Sequence, residues 1–434
     1  MQSIFRRINL NSNITILLFE AGFIGVMITS EPFLPVFLTR LGATPFQISL
    51  LTTMPAIAGL LLTIPVGQML VNAGRIIDWY RYPRLAGSVA FILAAIVPFI
   101  FHSYHTSITL IIIIFGLASI PSIILMITFS LVMNAISGPR GRYEVMAKRM
   151  SIVVLTSAVC MALAGWFLEQ VVFPRNFQWL FIIFSVIGGG VAFYFSSSIQ
   201  LPKHVVPRLP APSLMTTLRG YRNILQGNRN FSSFVWIRFV FIVGLMMSVP
   251  IIPIYYVRVA KASDAWIGMI TMVQLGVMVF GYYFWMRKAR SHMPNHTILL
   301  QTTLVLALYP ALIALTDRVA LIILITGLAF FFQAGLDLVF FDELMRSVPV
   351  KESIPYISLA TSIQYIGTIA GPLLGSFLAE QFSLSTALFV AAGIRAVAFL
   401  LFFFRPDSPL EEEEEPELET QSIHEVAPLP LPQP

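Results

Sequence analysis

Long apolar runs alternate with short polar segments along almost the whole chain, and the polar segments hold most of the charge. Runs long enough to span a bilayer begin near Asn13, Phe46, Arg84, Thr106, Met150, Phe177, Phe231, Asp264, Asn295, Val319, Tyr356 and Leu384. A helix of roughly 20 apolar residues crosses about 30 Å of hydrocarbon, with tilt absorbing any excess. The pattern therefore predicts an all-α membrane protein of about twelve transmembrane helices. Composition agrees. Of 434 residues, 57% are hydrophobic and 11% charged, with a mean hydropathy of +0.82. Soluble domains carry roughly 25% charged residues, so this chain needs lipid as its solvent. The stretch after Arg6 and Arg7 is too long for a cleaved leader and reads as a first anchor. Cys160 is the single cysteine, so no intrachain disulfide can form.

Charge orients the spans. With the amino terminus inside, the inner segments carry 20 of the 27 Lys and Arg residues and the outer loops five. Arg238 and Arg395 remain within predicted helices. This is the positive-inside bias, and it accounts for the basic balance without a nucleic-acid partner. Both termini are expected in the cytoplasm and the chain in the cell's inner (plasma) membrane. Nine of the 21 acids fall in the tail beyond Arg405, which reads PDSPLEEEEEPELETQSIHEVAPLPLPQP and is expected to be disordered.

The longest internal connection, 199–230, is rich in Pro and Arg and free of acids. It divides the chain into an N-terminal bundle (1–198), a cytoplasmic loop (199–230), a C-terminal bundle (231–405) and the tail (406–434). The bundles repeat. Pro32, Pro35 and Arg40 recur as Pro250, Pro253 and Arg258 at an offset of 218. Gly116-Leu117-Ala118 recurs as Gly327-Leu328-Ala329 at 211, and Gly165, Phe167 and Leu168 as Gly375, Phe377 and Leu378 at 210. Ordered matches at nearly one offset indicate a duplicated six-helix unit of parallel topology, giving two pseudo-symmetric six-helix bundles.

On these residues the chain resembles the major facilitator superfamily up to Arg405. LRGYRNILQGNRNFSSFVWIRFVFIVGLMMSVPIIPIYYV is similar to the family's central loop and seventh helix. FFFQAGLDLVFFDELMRSVP and GPLLGSFLAE are similar to its tenth and eleventh. In the family's gating-loop pattern, Gly67, Gly74 and Arg75 match. Val71, Asn72 and Ile76 depart from it, so the acidic gating residue is missing. The second-half loop keeps Gly281 with Arg287, Lys288 and Arg290. The fifth-helix Gly-Pro of drug antiporters is absent, whereas Gly371-Pro372 stands in helix eleven. The resemblance implies a central cavity lined by helices one, four, seven and ten, with helix twelve packed outside.

Ionisable groups in hydrocarbon are costly and usually face a protein interior or a wet cavity. Glu20 and Glu31 fall in helix one, Arg238 in helix seven, and Asp337, Asp342 and Glu343 in helix ten. Glu20 and Arg238 differ by the repeat offset of 218. They are expected at matched depth as a pair across the halves, acting as a gate, a proton-linked site or a stabilising bridge. Glu31, beside Pro32, sits where helix one is expected to bend. Gln333 and Asp337 share a face one turn apart, and a mid-membrane carboxylate there suits proton coupling. Asp342 and Glu343 read as interface charges beside Arg346, and Arg395 as packed against a neighbour's acid. Gly367, Gly371 and Gly375 make one smooth helix face for close packing.

Other chemistry finds no support. No lysine precedes Ser or Thr in a phosphate loop, and neither pair of neighbouring histidines, His102 with His105 or His292 with His296, has acids or cysteines beside it to bind metal. Neither a cofactor nor an enzymatic constellation is indicated. The expectation is a monomeric secondary transporter taking a small molecule and protons, with export of an amphipathic or cationic compound favoured by an excess of cavity acids. Nutrient uptake and a non-transporting membrane sensor are the alternatives.

Overall fold

The computed structural model describes residues 2–71, 76–101, 103–200, 214–290, 293–348 and 353–405. The acidic tail, Gly74 and Arg75 lie outside the described residues, as do residues 201–213 of the central connection. Among the described residues, twelve helices are long and apolar enough to cross a bilayer. The first half comprises α1 (Asn13–Arg40), α2 (Pro45–Thr63), α3 (Ile76–Ile100), α4 (Tyr104–Ser137), α5 (Val145–Gln170) and α6 (Arg175–Ser198). The second comprises α7 (Arg229–Arg258), α8 (Asp264–Lys288), α9 (Asn295–Ala314), α10 (Val319–Arg346), α11 (Pro355–Gln381) and α12 (Leu384–Phe403). A further helix, Leu214–Gly227, precedes α7, whose start is capped by Asn228 accepting from the Phe231 N–H at 2.9 Å.

Two boundaries differ from expectation. α3 begins at Ile76 rather than near Arg84, and α5 at Val145 rather than near Met150. Tyr80, Arg84 and Arg149 therefore lie inside spans, and each is buried. A hydropathy pattern cannot see this, because an arginine whose charge is met by a buried partner no longer marks the membrane edge.

Helix α1 breaks where its prolines predict. Helical structure stops at Ile28, turns over 29–32, and resumes as Phe33–Arg40. Pro32 has no N–H to give the Ile28 carbonyl. That oxygen instead accepts from Glu31 at 3.0 Å, and the Glu31 carbonyl from Leu34 at 3.3 Å. The matching Pro250 and Pro253 leave α7 helical throughout. In α6, a π-helical turn at Ser185–Gly190 brings Gly188 against α1, where a Cβ would lie 2.5 Å from the Met27 nitrogen.

Lipid gives helices no hydrophobic reason to associate, so close backbone approach carries the packing. Within the second half, α11 meets α7 through its glycines: a Cβ at Gly371 would lie 2.6 Å from the Val243 carbonyl oxygen, and one at Gly375 2.5 Å from that of Met247. Between halves, α5 meets α8, where a Cβ at Gly165 would lie 3.0 Å from Ala265 Cα and one at Gly268 2.8 Å from the Met161 carbonyl oxygen. Helix α2 meets α11 along the other seam, with Gly59 under the Tyr365 ring. Phe37, Phe177 and Phe181 stack the outer ends of α1 and α6, with Phe37 and Phe177 ring centres 5.3 Å apart.

Gly371→Leu is expected to cost about 1–3 kcal/mol or more through overpacking against α7. Gly227→Leu, at an exposed position with open space around it, should stay within about 0.5 kcal/mol. Thermal unfolding of both purified variants in one detergent checks this, and equal midpoints would contradict the packing assignment.

Candidate functional site

A cavity of about 660 Å³ lies between the halves. Repeat-related residues line it from both sides: Met27 and Glu31 on α1 answer Leu245 and Val249 on α7, and Ser122 on α4 answers Gln333 on α10. Its body is apolar, with Phe91, Phe115 and Phe330 among the lining rings. Equivalent positions face one space because the duplicated bundles sit about a common pseudo-twofold axis.

Of the predicted residues, Glu31 and Gln333 line this cavity. Glu31 sits in the broken turn of α1, exposed to the cavity, and its carboxylate has no hydrogen-bond or ion-pair partner among the described residues. Asp337 lies one turn inward of Gln333 and is exposed. Its Oδ1 accepts from Gln333 Nε2 at 2.8 Å and its Oδ2 from the Tyr282 hydroxyl at 2.7 Å. Gly67 is described but has nothing within 4 Å of where its Cβ would be.

The expected Glu20–Arg238 pair is not formed. Glu20 is fully buried within its own half, with Arg84 at 3.1 Å and the Tyr80 hydroxyl donating to both carboxylate oxygens at 2.9 Å. Arg149 lies within electrostatic reach and stacks over the Phe129 ring, 4.4 Å from its centre. Arg238 donates to Gln364 at 2.8 Å, lies 5.5 Å from the Phe340 ring centre and feels the Asp337 charge. Matched depth thus did not mean contact. Each charge found a partner in its own bundle.

Two further assignments change. Asp342 pairs with Arg346 at 2.8 Å as expected, but Glu343 is met by Arg405 at 3.4 Å. Arg395 on α12 has no carboxylate partner among the described residues, although it is fully buried. It donates to the Leu306 carbonyl at 2.8 Å, to the Leu245 carbonyl at 3.2 Å and to the Ser248 hydroxyl. Pro310 explains the first of these: without an N–H it cannot satisfy the Leu306 carbonyl, and Arg395 supplies the missing donor. A helix expected to pack outside the site therefore sends its arginine into the cavity wall. The signal available in the sequence was an arginine at mid-span, together with a proline on α9.

Polar contacts between the halves gather at the end of the bundles that holds the α1–α2 and α7–α8 connections. Arg40 donates to Asp264 at 2.7 Å and to the Ala262 carbonyl at 3.3 Å. Its repeat partner Arg258 donates back to the Ala43 carbonyl at 2.5 Å. The Phe46 N–H meets Glu380 at 2.9 Å, and Ser376 meets Ser49 at 3.3 Å. At the opposite end, the described polar contacts, such as Asn13–Gln200 and Asn228–Ser347, stay within one half.

Two joined six-helix units around a central cavity, clasped at one face, make the architecture of a membrane transporter. The Major Facilitator Superfamily model matches residues 16–347, and the chain belongs to that superfamily. Similar solved structures include a variant of the nucleoside transporter NupG, at 13% identity and TM-score 0.72, covering 92% of this chain and 100% of that one. A bacterial homologue of the human lysosomal transporter Spinster, inward-facing and unoccupied, is 13% identical at TM-score 0.67, covering 92% of this chain and 96% of that one. A POT family transporter in complex with a thioalcohol-conjugated peptide is 12% identical at TM-score 0.67, covering 90% and 95%. These identities make the likenesses ones of fold. No curated protein sequence matches the chain.

Two measurements test the site. Glu20→Gln should cost about 3–5 kcal/mol by leaving Arg84 buried and unpaired. Glu20→Leu combined with Arg84→Met should recover at least half of that in thermal unfolding, whereas a double variant no more stable than Glu20→Gln would remove the pair. Replacing Arg40 and Arg258 together by Ala should loosen the outer clasp. In a Cys160→Ser background, a cysteine at Leu34 should then label from outside about tenfold faster, the effect of roughly 1.4 kcal/mol. An unchanged labelling rate would show that the clasp does not hold the outer end closed.

Proposed function

We propose that this protein is a proton-coupled secondary transporter that exports a small amphipathic, cation-bearing compound by alternating access through the central cavity. The reading rests chiefly on Glu31, a carboxylate open to an otherwise mostly apolar cavity and left without a counter-charge. The expected excess of cavity acids is not what supports it, since Arg395 also contributes to the wall. Glu20 is committed to Arg84, and Asp337 is held by Tyr282 and Gln333. Glu31 is thus the group free to bind either a proton or a solute cation.

Exchange follows from that competition. A carboxylate that holds one positive charge at a time binds a proton from the outer side and releases it inward, then takes the solute cation and carries it out. The broken turn at 29–32 links this group to Phe33–Arg40, the segment whose end carries the Arg40 clasp, so its occupancy can bear on opening. Asp337, one turn inward of Gln333, stands on the route to the cytoplasm. The assignment is to the inner membrane with both termini cytoplasmic, working as a monomer.

In proteoliposomes with an imposed pH gradient, Glu31→Gln is expected to lower accumulation of ethidium or tetraphenylphosphonium at least tenfold and to weaken downhill exchange of the same cation as well. Full accumulation by Glu31→Gln would remove this residue from coupling. Accumulation by the unaltered protein that ignores the gradient would remove the proton.

A further inference from the structure

The two sides of the cavity differ in chemistry more than the duplication requires. Glu31 is the ionisable side chain contributed by the first half, and its repeat-related position on α7 is Val249. The second half contributes Arg395 together with Tyr256, Tyr309, Gln274 and Gln333, all able to donate hydrogen bonds. On the first half, Gln333 is answered by Ser122 and Gln274 has no amide opposite it. The cavity therefore has an anionic wall and a cationic, donor-rich wall.

The two poles lie at similar depth. Glu31 is nine residues in from Arg40 at the outer end of α1, and Arg395 eleven residues in from Leu384 at the outer end of α12. At 1.5 Å per residue these correspond to about 13 and about 16 Å. Both sit near mid-membrane, where charge is least screened.

Arg395 is not simply a structural cation that happens to lie nearby. Its three acceptors are neutral, two backbone carbonyls and a serine hydroxyl, so they orient the guanidinium without cancelling its charge. Its Nε has no partner. Ser248, one of those acceptors, also lines the cavity, and Tyr309 lies within electrostatic reach of the arginine. Gly244 makes room for the side chain, since a Cβ there would lie 2.9 Å from Arg395 Cγ. A cation held this firmly at mid-membrane, with no carboxylate beside it, projects positive potential into the adjacent space. Anionic groups entering the cavity are the complement it lacks.

We infer that the solute is a zwitterion: an amphipathic compound whose ammonium group faces Glu31 and whose carboxylate faces the wall formed by Arg395, Ser248, Tyr256 and Tyr309, with its apolar body among Phe91, Phe115 and Phe330. This deepens the transport reading above and rests on it for the cavity being the solute site. Arg395 acts here as a positioning residue through its field and through Ser248, because it is itself covered from water.

Matched trios of probes decide the question: 4-(aminomethyl)benzoate, 4-methylbenzylamine and 4-methylbenzoate, with the corresponding biphenyl set for size. Binding to the purified full-length protein is read by thermal shift and by competition with ethidium. The zwitterion of at least one set should bind tenfold or more tighter than its matched cation and its matched anion. Arg395→Gln should reduce the zwitterion-to-cation affinity ratio about tenfold, and Arg395→Lys should restore part of that ratio, which a purely structural role would not do. If Arg395→Gln does not fold, the unaltered protein's ranking and the Arg395→Lys ratio carry the test.

A cation bound as tightly as its zwitterion overturns the inference while leaving Glu31 and the transport reading intact. Absence of binding by every member of both sets also overturns it, and proton-driven ethidium accumulation then shows separately whether the transport reading survives.

Discussion

Desolvation of charge is the constraint on which the rest of this structure depends. In hydrocarbon an unpaired ionised side chain costs at least about 2.5–3.5 kcal/mol, and the chain meets that cost in a different way at each depth. Glu20 is neutralised by Arg84 and held by Tyr80, while Glu343 is met near the inner face by Arg405. Arg395 takes backbone carbonyls, one of them left without a donor by Pro310. Against that background the open carboxylate of Glu31 stands out, because the fold has satisfied nearly every comparable group around it.

Duplication explains the shape of the cavity, and divergence explains its chemistry. The same proline spacing stands on α1 and α7, yet only α1 breaks. A proline removes one donor and crowds the preceding turn, and whether the helix then yields depends on what packs against it. On α1 the released turn brings a carboxylate into the cavity, while the equivalent place on α7 keeps a valine in an unbroken helix. The walls that the two halves give the cavity are related by the repeat and opposite in charge.

The contacts that join the two halves are spread unevenly along the bundles. In the seam of α5 with α8, glycines meet backbone directly, whereas in the seam of α2 with α11 the Tyr365 ring covers Gly59. Polar ties are added at one end, where Arg40 and Arg258 each reach into the opposite half. Both arginines come from one ancestral position, so the duplicated sequence supplied both arms of the clasp. Such partly exposed ties are individually weak, whereas the Glu20–Arg84 bridge is buried and lies inside one bundle.

The sequence by itself determined the medium, the number of spans, the duplication and the places where prolines and glycines would matter. Each of these is local: length and hydropathy decide what enters lipid, and residue type decides whether a helix can bend or approach closely. It also singled out Glu31 and Gln333, which the structure finds lining the cavity, because a charge or amide within a span has few uses. What only the tertiary structure decided is which charges meet. Glu20 and Arg238 occupy repeat-related positions, yet they turn to Arg84 and Gln364, because a side chain reaches only a few ångströms and pairing follows the packing of its own bundle. Arg84 and Arg149 look like loop residues until Glu20 is folded against them. Arg395 looks peripheral until α12, α9 and α7 close around it, since neither the carbonyl freed by Pro310 nor the space left by Gly244 exists until three helices pack together.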